Sequence, residues 1–472
     1  MRRAALSILL IVLAGCATSR PAPSATTPVP PNPLPEITRL IERGCYTCLE
    51  KAHALAREHA VSQLAFETAA ILALRSLELG LPAAAWLSEA QTLADGDAAR
   101  LEYMEMVAAI PPDPLSGNRD DLLSETRARN RDRTRAPAWR QSLTSGPGSE
   151  VFKRYLDIAL VCSIDVFRES REELVKEIVD RPVPVLEYRA GICDSRFVTQ
   201  LSGVRVGDPD FVDADYVLGK YALENRKGQN QEEALRLFRS AAAAFPQSPA
   251  IATNVGNLLQ AWEDWPQALA AYDTAIALVP THPDALIGRT VSLSYLERHQ
   301  EAIDTATRLI DGGRWFLGQA YYWRGWNYYY MDNANAARVE ADRARTLMVN
   351  AAVFVLSGMI EWRLTRPTTA EKEFEEAIVM DAGQCEAALM LGGVRSDLRK
   401  TPEGIAALEQ ARQCFDLSIT VRRRAIGVIN DGSGTPETKA REIARHERAI
   451  ARAESRRADA EKAIATLRKR TR

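Results

Sequence analysis

From residue 36 onward, apolar side chains recur every three to four positions over stretches of about ten to fifteen residues, separated by short breaks. That spacing lays one apolar stripe along a helix and does not match the alternation of a strand. It holds over residues 36–110 and 151–211, and it continues to a last helix beginning at Pro436. Between residues 111 and 150 it fails. Pro111, Pro112 and Pro114, an Arg/Asp-rich run and Gly146-Pro147-Gly148 predict an irregular excursion there. The expected fold class is all-α.

Over residues 212–418 the helices come in pairs with a period near 34. The clearest unit runs from Pro249 to His282, with Gly256, Leu259, Ala268, Tyr272, Ala275 and Pro280 at positions 8, 11, 20, 24, 27 and 32. The preceding unit has Leu218-Gly219, Ala234, Phe238, Ala241 and Pro246, the last four lying 34 residues before their counterparts. Copies follow from Pro283 (Ala302, Ala306), near Gly318 (Gly325, Tyr328, Ala337, Ala344), from Ala351 (Gly358, Ala370, Phe374, Ala377) and from Cys385 (Leu391-Gly392, Ala411). These positions resemble the tetratricopeptide repeat. The resemblance implies about six antiparallel helix hairpins stacked into a right-handed superhelical solenoid. Small residues sit where paired helices approach closely and large ones fill the seam. Phe66 to Ala90, with Leu79-Gly80, Ala83, Ala84 and Trp86, reads as a divergent hairpin of the same kind.

The front of the chain is an address. Arg2 and Arg3 precede an apolar run from Ala4 to Leu13, followed by Leu13-Ala14-Gly15-Cys16. The run is shorter than the roughly 20 residues a membrane-spanning helix needs, so residues 1–16 are expected to be a cleaved signal. The ending resembles the bacterial lipoprotein signal, which implies cleavage before Cys16 and a lipid on its thiol. Ala17 in place of Asp favours transfer to the outer membrane by the same resemblance. Residues 17–35 carry seven Pro among Ser, Thr and Ala and are expected to be an extended tether. The expected location is the cell envelope, lipid-anchored at the outer membrane and facing the periplasm.

Composition narrows the function classes. The 472 residues are 46% hydrophobic and 26% charged, with a formal net charge of -2, which fits a water-folded body and not a nucleic-acid coat. Local charge is another matter: residues 436–472 hold twelve Lys/Arg against six Asp/Glu, with a thin stripe of Ile443, Ile450, Ile464 and Leu467. That tail, the end of a 419–472 segment broken at Asp431-Gly432-Ser433-Gly434, reads as a solvated, capping or frayed helix, or as a binder of anionic headgroups or an acidic partner. Beyond Cys16, six Cys remain in a compartment that permits disulfides. Cys385 and Cys414 lie at the two ends of one hairpin and are expected to pair; Cys162 and Cys193 are a second candidate pair. Cys45-Tyr46-Thr47-Cys48 reads as a structural disulfide or inert thiols, a redox pair, or a metal half-site. The His residues (53, 59, 282, 299 and 446) are expected at helix surfaces or repeat junctions, and there is no HExxH spacing, P-loop, dinucleotide fingerprint or GxSxG. No catalytic residue, cofactor or metal site is expected, and the protein is expected to be non-enzymatic.

The resemblance to tetratricopeptide arrays implies that the first helix of each unit lines a concave groove. Carried over position by position, the groove residues are Tyr216, Lys220, Asn257, Gln260, Tyr295, Tyr322, Trp326, Tyr329, Tyr330, Trp362 and Arg363. Nine aromatic residues fall between positions 315 and 330, more than one seam needs, and they divide between core and groove readings. The charge clamp of some family members is incomplete: Asn254 and Asn257 are present, but the next unit has Asp284 and Gly288. The expectation is a scaffold lipoprotein that docks proteins in envelope assembly, secretion or polymer export. A carbohydrate- or peptidoglycan-binding module and a thiol-redox lipoprotein are the alternatives.

Overall fold

A computed structural model describes residues 32–109, 135–163, 176, 178, 180–193, 195–224, 231–313, 315–432 and 435–470. The lipid-attachment motif, most of the tether and the stretch 110–134 lie outside it, as does the side-chain pairing expected between Cys162 and Cys193. The described residues form helices throughout. The front block contains α1 (Leu34–Arg43), α2 (Tyr46–Glu58), α3 (Ser62–Glu78), α4 (Ala84–Ala94), α5 (Ala98–Ala109), α6 (Ala136–Ser145), α7 (Glu150–Ser163), α8 (Pro184–Cys193) and α9 (Val198–Gly207). One expectation is corrected here: α6 falls within the supposed irregular excursion. Its Trp139 and Leu143 are buried, so a short apolar stripe overrode the flanking Pro and Gly signals.

The array follows as paired helices: α10 (Asp213–Glu224) with α11 (Gln231–Ala244), α12 (Pro249–Ala261) with α13 (Trp265–Leu278), and α14 (Pro283–Tyr295) with α15 (His299–Asp311). Then come α16 (Leu317–Tyr330) with α17 (Ala334–Leu347), α18 (Ala351–Arg363) with α19 (Pro367–Met380), and α20 (Cys385–Asp397) with α21 (Thr401–Asp431). Each helix packs against its hairpin partner and the next hairpin, which is the architecture of a solenoid. Second helices stop where Pro follows: α11 before Pro246 and α13 before Pro280.

The seam between hairpins repeats one device. A glycine in the first helix faces a bulky side chain of the second: Gly219 faces Phe238, Gly256 faces Tyr272, Gly358 faces Phe374 and Gly392 faces Leu408. A Cβ on Gly256 would lie 2.7 Å from the Tyr272 ring, and one on Gly288, in the next unit, would overlap the same ring. Tyr272 is therefore clasped by two helix backbones, and its hydroxyl donates to Asn257 Oδ1 (2.8 Å) and Gln260 Oε1 (3.1 Å). In the fourth unit a buried Arg324–Glu340 pair (2.7 Å) lies in the seam.

The front block is joined to the array by buried charge. The Arg75 guanidinium on α3 pairs with Asp213 at the start of α10, lies 3.3 Å from the Tyr188 ring centre and donates to the Gly44 carbonyl (3.0 Å). Arg189 pairs with Glu78 alongside (3.2 Å), and both are buried. Cys45 and Cys48 form a disulfide, both buried, with Cys45 Sγ accepting the Cys48 N–H at the start of α2. The structure also joins Cys385 to Cys414 across the sixth hairpin, a crosslink over a sequence separation of 29 that contributes about 3 kcal/mol in the loop-entropy account. His53, expected at a helix surface, is instead buried between α2 and α3, where Nδ1 contacts the Ala65 carbonyl and Thr68 Oγ1 (both 3.1 Å).

The last helix, α22 (Pro436–Arg470), is not frayed: it is packed along one face and solvated along the other. It runs antiparallel to α21, burying Ile450, Ala453, Ala460, Ile464 and Leu467 against Phe415, Ile419 and Leu408. Of the sequence readings, a capping helix describes it.

The Tyr272 clasp sets a test. Gly288→Ala is expected to lower unfolding free energy by about 1–3 kcal/mol, because the ring it strikes is buried and tied by its hydroxyl. Gly427→Ala, on an open face of α21 with nothing within 4 Å, is expected to be neutral or stabilising by up to about 1 kcal/mol. Urea denaturation of the two variants checks the difference.

Candidate functional site

The helix α16 carries Tyr321, Tyr322, Trp323, Trp326, Tyr328, Tyr329 and Tyr330, yet its buried residues are Ala320, Arg324, Gly325 and Asn327. Small and polar side chains fill the seam, and the rings are half-buried around it, with only Tyr330 of the seven exposed. Tyr322, Trp326, Tyr328 and Tyr329 each bury part of a ring against Ala337, Ala341, Leu356 and Ile360 and leave the rest exposed. The rings of this run therefore serve both readings, each packing one part on the core and presenting the rest to the surface.

The rings are continuous across neighbouring units. Trp265 stacks on Tyr295 (4.1 Å between centres, planes 6° apart), and Tyr295 leans on Trp323 at 5.8 Å. Trp323 meets Tyr322, Tyr322 meets Trp326, and Trp326 stacks on Tyr330 at 5.5 Å. Tyr330 stacks on His299 at 5.3 Å. A cleft of about 560 Å³ opens among Tyr295, Tyr322, Trp323, Trp326 and Tyr330, with Ser294, Glu297, His299 and Asn327 completing its lining. Asn327 is fully engaged: its Nδ2 donates to Ser294 Oγ and the Trp323 carbonyl (both 2.7 Å), and its Oδ1 accepts from His299 Nδ1 (2.9 Å). Burial pushes the Tyr322 hydroxyl up to about 12, and it raises the Tyr295 and Tyr330 hydroxyls too, so all three are neutral donors at physiological pH.

The expected groove residues divide. Tyr295 and the α16 aromatics form this wall, and Arg363 lies 3.9 Å over the Tyr329 ring while bonding Asp332 (3.2 Å). Asn257 and Gln260 serve Tyr272, and Trp362 Nε1 donates to Asp397 (2.8 Å). Tyr216 and Lys220 are corrected: both are buried, Tyr216 against Phe238 and Lys220 with Nζ 4.5 Å from the Tyr216 ring centre. They lie where the front block joins the array, so the first unit offers no open inner face there. Sequence reasoning passed over Trp265 and Glu297, which lie outside the first-helix positions it searched, and Trp323, which it counted among the aromatics but did not place in the groove.

It also missed what lies beside the wall. From α22, Arg448 and Arg452 pair with Glu263 (3.3 and 2.9 Å), Arg456 pairs with Glu386 (3.1 Å), and Arg441 lies 4.4 Å from the Trp262 ring centre. Arg445 and Arg448 donate to the carbonyls of Ala261 and Trp262, and Thr435 to Glu232. The basic helix therefore bridges the second unit to the sixth, and the acidic partner its charge called for is the chain's own array. The only signal in the sequence was the charge of the tail; its target could not be read.

Among solved structures the chain is similar to MamA from Desulfovibrio magneticus RS-1 (18% identity, 37% of this chain and 96% of that one, TM-score 0.33). It is likewise similar to YrrB, described as a tetratricopeptide repeat protein with an unusual peptide-binding site (21% identity, 38% and 91%, TM-score 0.32). A tetratricopeptide repeat protein from Parabacteroides merdae matches over 59% of this chain and 99% of its own (14% identity, TM-score 0.39). No protein-family model and no curated protein matches the chain. The hairpin stacking, with its recurring glycine-to-ring seams, is itself that of a tetratricopeptide solenoid.

The α22 contacts are electrostatic and partly exposed, which makes them tunable. Burial raises the Glu263 carboxyl, but Arg452 and Arg448 outweigh it and hold the group below its ordinary 4.5. A depressed carboxylate contributes stability that is complete above its unfolded value and is lost as pH falls through its folded value. Amide-exchange protection of α22 is therefore expected to decline below about pH 4.5 and with added salt, and Glu263→Gln is expected to raise its opening equilibrium roughly fivefold at neutral pH, about 1 kcal/mol. Hydrogen-exchange mass spectrometry of residues 436–470 checks both.

Proposed function

We propose that this protein is an envelope lipoprotein whose solenoid docks other proteins, in envelope assembly, secretion or polymer export, and that it works by binding and not by catalysis. The observation that carries the docking part is the aromatic wall: half-buried and exposed rings in contact across adjacent hairpins, beside a cleft large enough for a side chain or short peptide segment. Rings offer large, rigid contact area at small entropic cost and are enriched where partners bind tightly. Cys45 and Cys48, the centre of the redox alternative, are buried in the front block, which disfavours exchange with a substrate thiol.

The anchoring part rests on Leu13-Ala14-Gly15-Cys16 and the Pro-rich residues that follow. Acyl chains on Cys16 would contribute ~0.8 kcal/mol per buried methylene, enough for firm attachment when several are present. Among the described residues no helix is long and apolar enough to cross a membrane.

Cys16→Ser is expected to move the protein from the membrane fraction to the soluble fraction and to abolish labelling by a fatty-acid probe; unchanged fractionation would refute the anchor. A photo-crosslinking amino acid at Tyr330, which is 61% exposed, is expected to give discrete protein adducts in intact cells. The same probe at Val379 on α19, 81% exposed, is expected to give none of them. Identical adducts at both positions, or none at Tyr330, would count against docking at the wall.

A further inference from the structure

Five of the turns inside hairpins share an unusual backbone state. Glu263, Glu297, Asp332, Thr365 and Arg399, spaced one repeat apart, all have φ between 57° and 61°, the left-handed region glycine ordinarily occupies after a helix. The turns close alike, with Asp264 N–H on the Leu259 carbonyl and Arg298 N–H on the Leu293 carbonyl. A side chain in that state costs about 1–2 kcal/mol. The array bears this cost at every described turn of this kind, and two of the side chains so placed perform the same task. Glu263 holds Arg448 and Arg452 beside the Trp262 ring, on which Arg441 lies. Asp332 holds Arg363, which covers the Tyr329 ring. At Asp332 the acid and the ring close on one guanidinium, that of Arg363, while at Glu263 the acid and the ring take different arginines of α22.

Glu297 stands between these two. Its carboxylate forms no ion pair or hydrogen bond among the described residues, and it lines the cleft walled by Tyr295, Trp323, Trp326 and Tyr330. The nearby Arg452 and Arg456 are engaged elsewhere, Arg452 with Glu263, which it shares with Arg448, and Arg456 with Glu386.

We infer that the Glu297 cleft is a binding site for an arginine side chain presented by a partner protein. The inference rests on the docking reading above and names its recognition chemistry. A guanidinium satisfies both features of the cleft at once, pairing with the carboxylate and lying against ring faces whose quadrupole attracts cations. A sugar fits less well, because its hydroxyls need free amides and carboxylates around a ring face, and the Asn327 amide is consumed by Ser294, Trp323 and His299.

The test uses the full mature chain and a blocked pentapeptide with one central arginine, followed by tryptophan fluorescence. The same peptide with citrulline, the neutral isostere, is the comparison. The arginine peptide is expected to bind at least tenfold more tightly, and Glu297→Gln is expected to erase the difference with an unchanged melting temperature. Asp304→Asn, an exposed carboxylate on the neighbouring α15, is expected to preserve it. Equal affinity for the two peptides, or an arginine preference that survives Glu297→Gln, overturns the inference. Saturable binding of a chitooligosaccharide in place of the peptide overturns it too, in favour of a glycan. Adducts at Tyr330 in cells that persist in Glu297→Gln also overturn it, while leaving docking at the wall intact.

Discussion

The close approach of neighbouring helices at glycine is the constraint on which everything else depends. Tyr272 can be buried only because Gly256 and Gly288 present bare backbone on either side of it, and Phe238, Phe374 and Leu408 sit against glycines in the same manner. No hairpin covers its own apolar face, so stability is shared between neighbours, and the register of each unit is passed to the next. That inherited register places Tyr295 of one unit within reach of Trp323 of the following one and so builds a wall no single hairpin could make.

Charge works at a different level. In the front block it is buried and paired: Arg75 with Asp213, Arg189 with Glu78. Removing one member of such a pair strands the other in a low-dielectric interior, so Arg75 with Asp213 specifies how the block meets the array, and Arg189 with Glu78 how α8 meets α3 within it. Along α22 the arginines are largely exposed, their pairs with Glu263, Glu386 and Asp416 are screened by water and salt, and the thin apolar stripe supplies the rest. The result is a bridge fixed along one edge to α21 and held to the second unit by weak contacts, next to the surface that is open to partners.

Much of this was legible in the residues. The 34-residue recurrence located the hairpins, because small residues at fixed positions are a direct consequence of helices in contact. The ends of one hairpin suggested the Cys385–Cys414 link for the same reason. What misled was local: Pro and Gly around residues 136–145 concealed a helix held by Trp139 and Leu143, and the first-helix rule put Tyr216 and Lys220 in a groove that the front block closes. Glu297 left a faint trace, as one of the non-glycine residues recurring at hairpin turns, but backbone dihedral angles are not written in residue type.

By itself, then, the amino-acid sequence determined the helical repeat, its period and the excess of aromatic residues in one unit, since these follow from spacing and side-chain size. Only the tertiary structure decided which rings face outward and where the basic C-terminal helix lies. The physical reason is that both depend on surfaces contributed by units far apart in the chain. Arg452 meets Glu263 across nearly two hundred residues, and no local pattern encodes which of many carboxylates an arginine will find.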